Sequence, residues 1–223
     1  MKTLSKRLTS LAVIALATSL GHTAHAQDTA NPAAAHQKVA MCIGCHGISG
    51  YQASFPEVHK VPKISGQNAK YIAAALTAYR KGERKHPTMK GIAAPMSDQD
   101  IADISAFYEA NGKDLPAPTV AAPAVPSADV QALLTKGNCA ACHGEGLNKP
   151  IDGTYPKIAG QHADYLYVAL KAYKIDHNPQ IGRSNAIMGT QARMFTNAEL
   201  KLLANHVATL PGDLKTVPQS KFR

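Results

Sequence analysis

The chain has 223 residues, 24 Lys and Arg against 15 Asp and Glu, four Cys and no Trp. That length allows one large or two small domains, and no apolar run is long enough to anchor the mature chain across a bilayer. The basic residues are scattered without an arginine-rich cluster, which argues against a nucleic-acid-binding protein.

Residues 1–26 read as a secretory signal peptide. Lys2, Lys6 and Arg7 make a charged start, Leu11 to Leu20 a mostly apolar core, and Ala24-His25-Ala26 a cleavage site. The mature chain is expected to begin near Gln27, in the periplasm, as a soluble protein. Losing those three cations lowers the net charge from +9 to +6. That charge suits an acidic partner surface or peripheral contact with an anionic membrane. Export also places the cysteines where disulfides are the default.

The following elements are helical. Asn31-Pro32 reads as N-cap and first residue of a helix leading into Cys42. Ala69 to Lys81 forms a second helix ended by Gly82. Ser97-Asp98-Gln99-Asp100 opens a third, running to about Ala110 and stopping at Asn111-Gly112. In the stretch after it, Pro116, Pro118, Pro123 and Pro126 forbid a helix and favour a stiff, extended connector. Beyond the connector, Ser127 caps a helix, Ala163 to Lys174 forms the next, and Thr196 to Glu199 is a capping box. No alternating strand pattern of useful length appears. The expected fold is all-α, with two tandem domains at 27–112 and 128–223 and a linker at 113–127.

The two halves are copies of one another. PKISGQNAKYIAAALTAYR, from Pro62, faces PKIAGQHADYLYVALKAYK, from Pro156, with eleven of nineteen positions identical. MKGIAAPMSDQD, from Met89, faces MGTQARMFTNAE, from Met188. CIGCH, Cys42 to His46, faces CAACH, Cys139 to His143, and these two pentapeptides hold every cysteine in the chain.

Cys-x-x-Cys alone is compatible with a redox pair, half a zinc site or a disulfide. A thioredoxin-like pair needs a βαβ context, zinc needs more ligands per site, and a disulfide needs no adjacent histidine. Cys-x-x-Cys-His is the attachment sequence for c-type haem. Cys42 and Cys45 would take the two vinyl groups of one porphyrin, and Cys139 and Cys142 those of another. His46 and His143 would bind iron from the proximal side. Haem also answers a packing difficulty, because domains this small with so few aromatics have a thin core, which a buried porphyrin plate would thicken.

Methionine as second axial ligand suits electron transfer. Met89 aligns with Met188, whereas Met96 aligns with Phe195 and Met194 with Pro95, neither of which ligates iron. Met96 and Phe195 also occupy the staple position before a helix cap, facing Ile101 and Leu200. The expected ligands are therefore Met89 and Met188. His86 and His177, in the loops before them, are weaker alternatives because they do not align; His36, His59, His162 and His206 read as ordinary surface or helix residues. After each motif, the loop opened by Pro62 or Pro156 offers a carbonyl to the proximal imidazole, with Gly66 and Gly160 permitting a close turn. Tyr71, Tyr79, Tyr165 and Tyr173 recur on one helix face, either as core or as partners of haem propionates and the domain interface. Lys60, Lys63, Lys85 and Lys157 are candidates for a basic rim that steers a redox partner.

The paired CxxCH motifs, the PKIxGQ segments and the methionine spacing before the last helix of each half resemble the dihaem cytochrome c4 family over nearly the whole mature chain. The resemblance implies two class I cytochrome c folds related by a pseudo-twofold, with haems facing each other and two covalently bound haem c groups. It also implies an electron carrier rather than an enzyme. Such a carrier works between redox proteins such as a quinol-oxidising complex and a terminal oxidase. Met188 follows a loop five residues longer than its counterpart. Two other functions compete: an electron-accepting dihaem subunit of a flavoprotein dehydrogenase, for example one oxidising sulfide, and a dihaem peroxidase, which would need one open iron and a distal acid/base.

Overall fold

Asn31 starts the first lobe by accepting the backbone N–H groups of Ala33 and Ala34 at its side-chain oxygen, 3.1 and 3.3 Å away. The turn runs into α1 (Ala35–Lys38) and, after Val39, into α2 (Ala40–His46). The cysteine motif thus lies within the second helix instead of following a single long one. The protein is described here by a computed structural model covering residues 30–116 and 125–218. Residues 1–26, read from sequence as a signal peptide, and residues 117–124 of the expected linker lie outside the described residues.

The first lobe continues through a small ladder, β1 (Gln52–Ala53) against β2 (His59–Lys60), to α3 (Ala69–Lys81). Gly82 ends α3 in the left-handed region at φ 76°, as the sequence anticipates. Next come β3 (Arg84–Lys85), α4 (Pro87–Ala93) and α5 (Asp98–Ala110), the last opened by the Ser97–Asp100 capping box. The second lobe repeats the plan. It holds α6 (Ala128–Gly137), capped by Ser127, then α7 (Ala140–His143) and α8 (Ala163–Ala172). β4 (Gly182–Arg183), α9 (Ala186–Arg193) and α10 (Asn197–Thr209) complete it, α10 carrying the Thr196–Glu199 box. The expected helix from Ala163 stops at Ala172, two residues early, where the chain tightens to three-residue turns, with Lys174 N–H donating to Lys171 O at 2.9 Å and Ile175 N–H to Ala172 O at 3.3 Å.

In each lobe two helices cross: α3 on α5, and α8 on α10, with α1 and α6 packed behind. Ile72 and Leu76 of α3 and Ile101 and Ile104 of α5 meet in the first core, at spacings that keep them on one helix face. Leu166, Ala204 and Val207 form one patch of the second core; Phe195, Leu200 and Leu203 form another. Met96 packs onto the first core and Phe195 is 5 % exposed in the second, as their staple positions require. Asp103, only 2 % exposed, ties α5 to the start of the chain. It accepts from Asn31 N at 2.7 Å, Lys38 Nζ at 2.8 Å and Gln99 Nε2 at 2.7 Å.

The PKIxGQ segments make the seam between lobes. Gln161 Nε2 donates to Lys63 O at 2.8 Å while its Oε1 accepts Lys63 N–H at 2.9 Å. Gln67 repeats the exchange with Lys157, at 2.9 Å in both directions. Each lysine ammonium crosses as well, Lys63 to Gly160 O at 2.6 Å and Lys157 to Gly66 O at 3.0 Å. Gly66 and Gly160 have φ of 82° and 70°, and a Cβ on Gly66 would sit 2.6 Å from Asp213 O. The seam also pairs β3 with β4, Arg84 opposite Arg183. Past α10 the chain returns to the first lobe, with Lys215 N–H donating to Ser65 O at 3.0 Å. These two-residue ladders are the departure from a purely helical chain.

Two outcomes are expected. Gln161→Ala strips the Lys63 backbone of both its hydrogen bonds across the seam, at roughly 1–3 kcal/mol. Calorimetry of the haem-loaded variant should then resolve separate lobe transitions where the parent gives one; an unaltered single transition would show that the seam does not hold the lobes. Asp103 is held below the ordinary carboxylate range, first by the Asn31 N–H and then by Lys38. Because its folded pKa lies below its unfolded value of about 4, the stability it adds is present above that pH and lost as pH falls through the depressed value. Asp103→Asn should lower the denaturation midpoint at neutral pH and flatten its decline below about pH 4.

Candidate haem-iron sites

On α2, Cys42, Cys45 and His46 stand at i, i+3 and i+4, so all three share one helix face. Cys139, Cys142 and His143 repeat this at α7, with Cys139 at the helix N-cap. All four thiols are free, so neither motif forms a disulfide. Burial pushes the Cys42 and Cys139 thiols up, the reverse of the lowered pKa that activates a dithiol for exchange. Among the described residues no three His, Cys, Asp or Glu side chains cluster as a metal site, so a zinc centre lacks donors.

The two imidazoles are fixed identically. His46 Nδ1–H donates to Pro62 O at 2.9 Å, and His143 Nδ1–H to Pro156 O at 2.8 Å. Since a carbonyl only accepts, Nδ1 carries the proton and Nε2 keeps its lone pair. Burial lowers both pKa values and keeps the rings neutral, the form that binds a metal. The expected role of the loops after each motif is met at Pro62 and Pro156.

Met89 and Met188 sit on helices that the sequence reading did not anticipate. Met89 lies on α4, where His86 Nδ1 accepts its backbone N–H at 3.4 Å; Met188 lies on α9, where Asn185 Oδ1 does the same at 2.9 Å. His86 thus has a capping role matched by Asn185, and His177 is exposed with φ 58°. His86 also lines the cavity that Met89 lines, whereas His177 does not. Met194 is 40 % exposed. His59 is a correction: expected as an ordinary surface or helix residue, it is 5 % exposed, with Nδ1 on Glu57 O at 2.8 Å.

All eight motif residues, the four cysteines with His46, His143, Met89 and Met188, line one cavity of about 840 Å³ between the lobes. Arg84 and Arg183 line it too, and the sequence reading missed both. Their match at the same 99-residue offset as Met89 and Met188 was the available signal. Arg84 donates to Tyr71 Oη at 3.2 Å and across the seam to Tyr165 Oη at 2.7 Å; Arg183 reaches the same Tyr165 oxygen at 3.2 Å. Arg84 also stacks on Tyr79 and Arg183 on Tyr173. Tyr71 and Tyr165 therefore serve the interface.

The proposed basic rim loses three of its four lysines, while the Lys60 side chain stays 44 % exposed. Lys63 and Lys157 are spent on the seam, and Lys85 Nζ donates to Asn178 O of the other lobe at 2.5 Å. Lys60 N–H donates to Asp164 at 3.0 Å, with its ammonium 3.7 Å from that carboxylate. Charge alone could not show that these cations had internal partners. For two haems the donor set fits: paired thiols, neutral imidazoles with free Nε2, thioether sulfurs, apolar walls and buried cations facing one space.

Known proteins agree with that chemistry. The cytochrome c family model matches twice, at residues 30–109 and 127–211. The thiosulfate dehydrogenase electron acceptor of Thiomonas intermedia (strain K12) is 30 % identical over 80 % of this chain and 82 % of its own. Cytochrome c4 of Azotobacter vinelandii is 28 % identical over 89 % of this chain and 98 % of its own. The crystal structure of reduced recombinant cytochrome c4 from Pseudomonas stutzeri superposes with a TM-score of 0.59, at 24 % identity, over 81 % of this chain and 99 % of that one. Two matched domains, each with its own CxxCH motif, imply two covalent haem c groups, and the chain belongs to the cytochrome c family as a tandem, dihaem member of the cytochrome c4 type.

Proposed function

We propose that this dihaem electron carrier works in the periplasm between a membrane-bound, quinol-oxidising donor and a terminal oxidase, with both irons closed by methionine. The observation that carries the reading is the matched pair of sites: His46 with Met89, and His143 with Met188, on duplicated elements around one cavity. Haem, when bound, supplies a one-electron iron couple. The chain supplies the rest. Cys42, Cys45, Cys139 and Cys142 hold the groups in place, and the Pro62 and Pro156 carbonyls orient the imidazoles. Met89 and Met188 supply sulfur, which raises the potential relative to bis-histidine ligation. The apolar walls exclude water. No helix among the described residues is long and apolar enough to cross a membrane, so membrane contact would be peripheral.

A second reading has a specific support. Relatives in Thiomonas intermedia and Stutzerimonas stutzeri are named as electron acceptors of thiosulfate dehydrogenase, which makes a thiosulfate-oxidising donor a better alternative than the flavoprotein considered from sequence. Stopped-flow mixing separates the readings. Reduction by a quinol-oxidising complex at rates well above those with a thiosulfate dehydrogenase and thiosulfate supports the first; the reverse order supports the second. A peroxidase would need an open iron, and turnover with peroxide would overturn both.

Two further outcomes are expected. Met89→Ala and Met188→Ala should each abolish half of the far-red Met–iron absorption of the oxidised protein, whereas Met96→Ala should leave it whole; loss with Met96→Ala would refute the ligand assignment. Chain made without haem attachment should lack a cooperative melt. An apolar space of about 840 Å³ shared by both lobes leaves the side chains that line it without packing partners unless the porphyrins fill it. A sharp thermal transition in colourless protein would contradict this.

A further inference from the structure

Tyr108 and Val207 occupy the same place in the two lobes and differ in chemistry. They stand at the 99-residue offset that relates the last helices, and their carbonyls do the same work. Gly66 N–H donates to Tyr108 O at 2.8 Å, and Gly160 N–H to Val207 O at 3.0 Å. Both side chains are buried, 3 % and 6 % exposed, and both line the cavity that the two haem motifs share. Val207 offers only methyl groups. Tyr108 offers a hydroxyl whose oxygen is buried without a hydrogen-bond partner among the described residues. A buried Tyr hydroxyl ordinarily finds a partner, and leaving one unpaired costs about 1–3 kcal/mol.

Cys42 packs against the core cluster to which Tyr108 belongs. Burial, and after it the Cys42 thiol, push the Tyr108 phenol up, so the phenol stays an O–H donor at neutral pH. A free thiol can give or accept a hydrogen bond, whereas a thioether sulfur only accepts. Attachment of haem to Cys42 therefore leaves the phenol as the donor of the two. We propose that Tyr108 donates its hydroxyl hydrogen to the Cys42 thioether sulfur, and so tunes the first haem through a bond that the second haem, beside Val207, lacks. The positive end of the O–H dipole then lies at the porphyrin edge of one site, where it favours the more electron-rich ferrous state. The inference rests on haem being held through Cys42.

The test uses the haem-loaded protein with Tyr108→Phe, which keeps the ring and removes the hydroxyl. Spectroelectrochemical titration should show the first haem shifted about threefold toward ferric, within the net range of one hydrogen bond, and the second unmoved. Proton NMR identifies the second haem by its NOE contacts to the Val207 methyls. A shift in both haems, in neither, or in the second alone overturns the proposal. The parent carries a check that needs no variant. In resonance Raman, transfer from water to heavy water should move one thioether C–S stretching band, and Tyr108→Phe should abolish that response. A C–S region blind to heavy water in the parent overturns the bond. A role in packing alone would move neither readout, since the substituted ring fills nearly the same space. Pyridine haemochrome counting of the parent separates the failures. A low count overturns the haem assignment and this inference with it, whereas a full count with unmoved bands and potentials overturns only the Tyr108 bond.

Discussion

A single dipeptide, Pro62-Lys63, with its copy Pro156-Lys157, organises the molecule. The proline carbonyl accepts the proximal imidazole proton, and the next residue gives both its backbone groups to a glutamine of the other lobe. Ligand orientation and lobe docking are therefore one peptide unit apart. A backbone held at both ends by hydrogen bonds cannot move at the seam without turning the imidazole ring proposed to bind iron.

The two lobes repeat the plan of the site and diverge around it, as in the 13 residues of α3 against the 10 of α8. His86 and Asn185 fill equivalent cap positions with different chemistry. Both supply an acceptor two bonds beyond the Cβ, which is all that an N-cap requires. The arginine pair departs further. Tyr165 receives both guanidiniums while its copy Tyr71 receives only Arg84, so the two lobes present different electrostatic surroundings to otherwise equivalent sites. Duplication supplies two irons, and this asymmetry gives a physical basis for them to differ.

What was legible in the sequence was local. Ser97–Asp100, Thr196–Glu199 and Gly82 set helix ends through contacts a few residues apart, and the CxxCH spacing places three donors on one face whatever surrounds them. Less legible were α4 and α9. Each is under three turns long, with too few apolar positions for a periodic pattern, and α4 begins at an unusual cap, His86. Least legible was the seam. Gln67 and Gln161 were visible as repeated residues, but their partners lie in the opposite copy, which no periodicity within one copy reveals. Lys63, Lys85 and Lys157 were misread for the same reason: a cation's role depends on whether a carbonyl or carboxylate from elsewhere meets it.

The seam is mainly polar, made of amide exchanges, ammonium–carbonyl contacts and a two-residue ladder. Apolar contact would tolerate small rotations, because burial is roughly proportional to area and has no direction. Hydrogen bonds at 2.6 to 3.0 Å weaken steeply when bent, so the same number of contacts fixes an angle as well as an affinity. For two haem sites on one cavity, such a seam fixes a mutual orientation that the linker alone would leave open. Lys63 and Lys157, expected to greet an outside partner, are used within to hold that orientation.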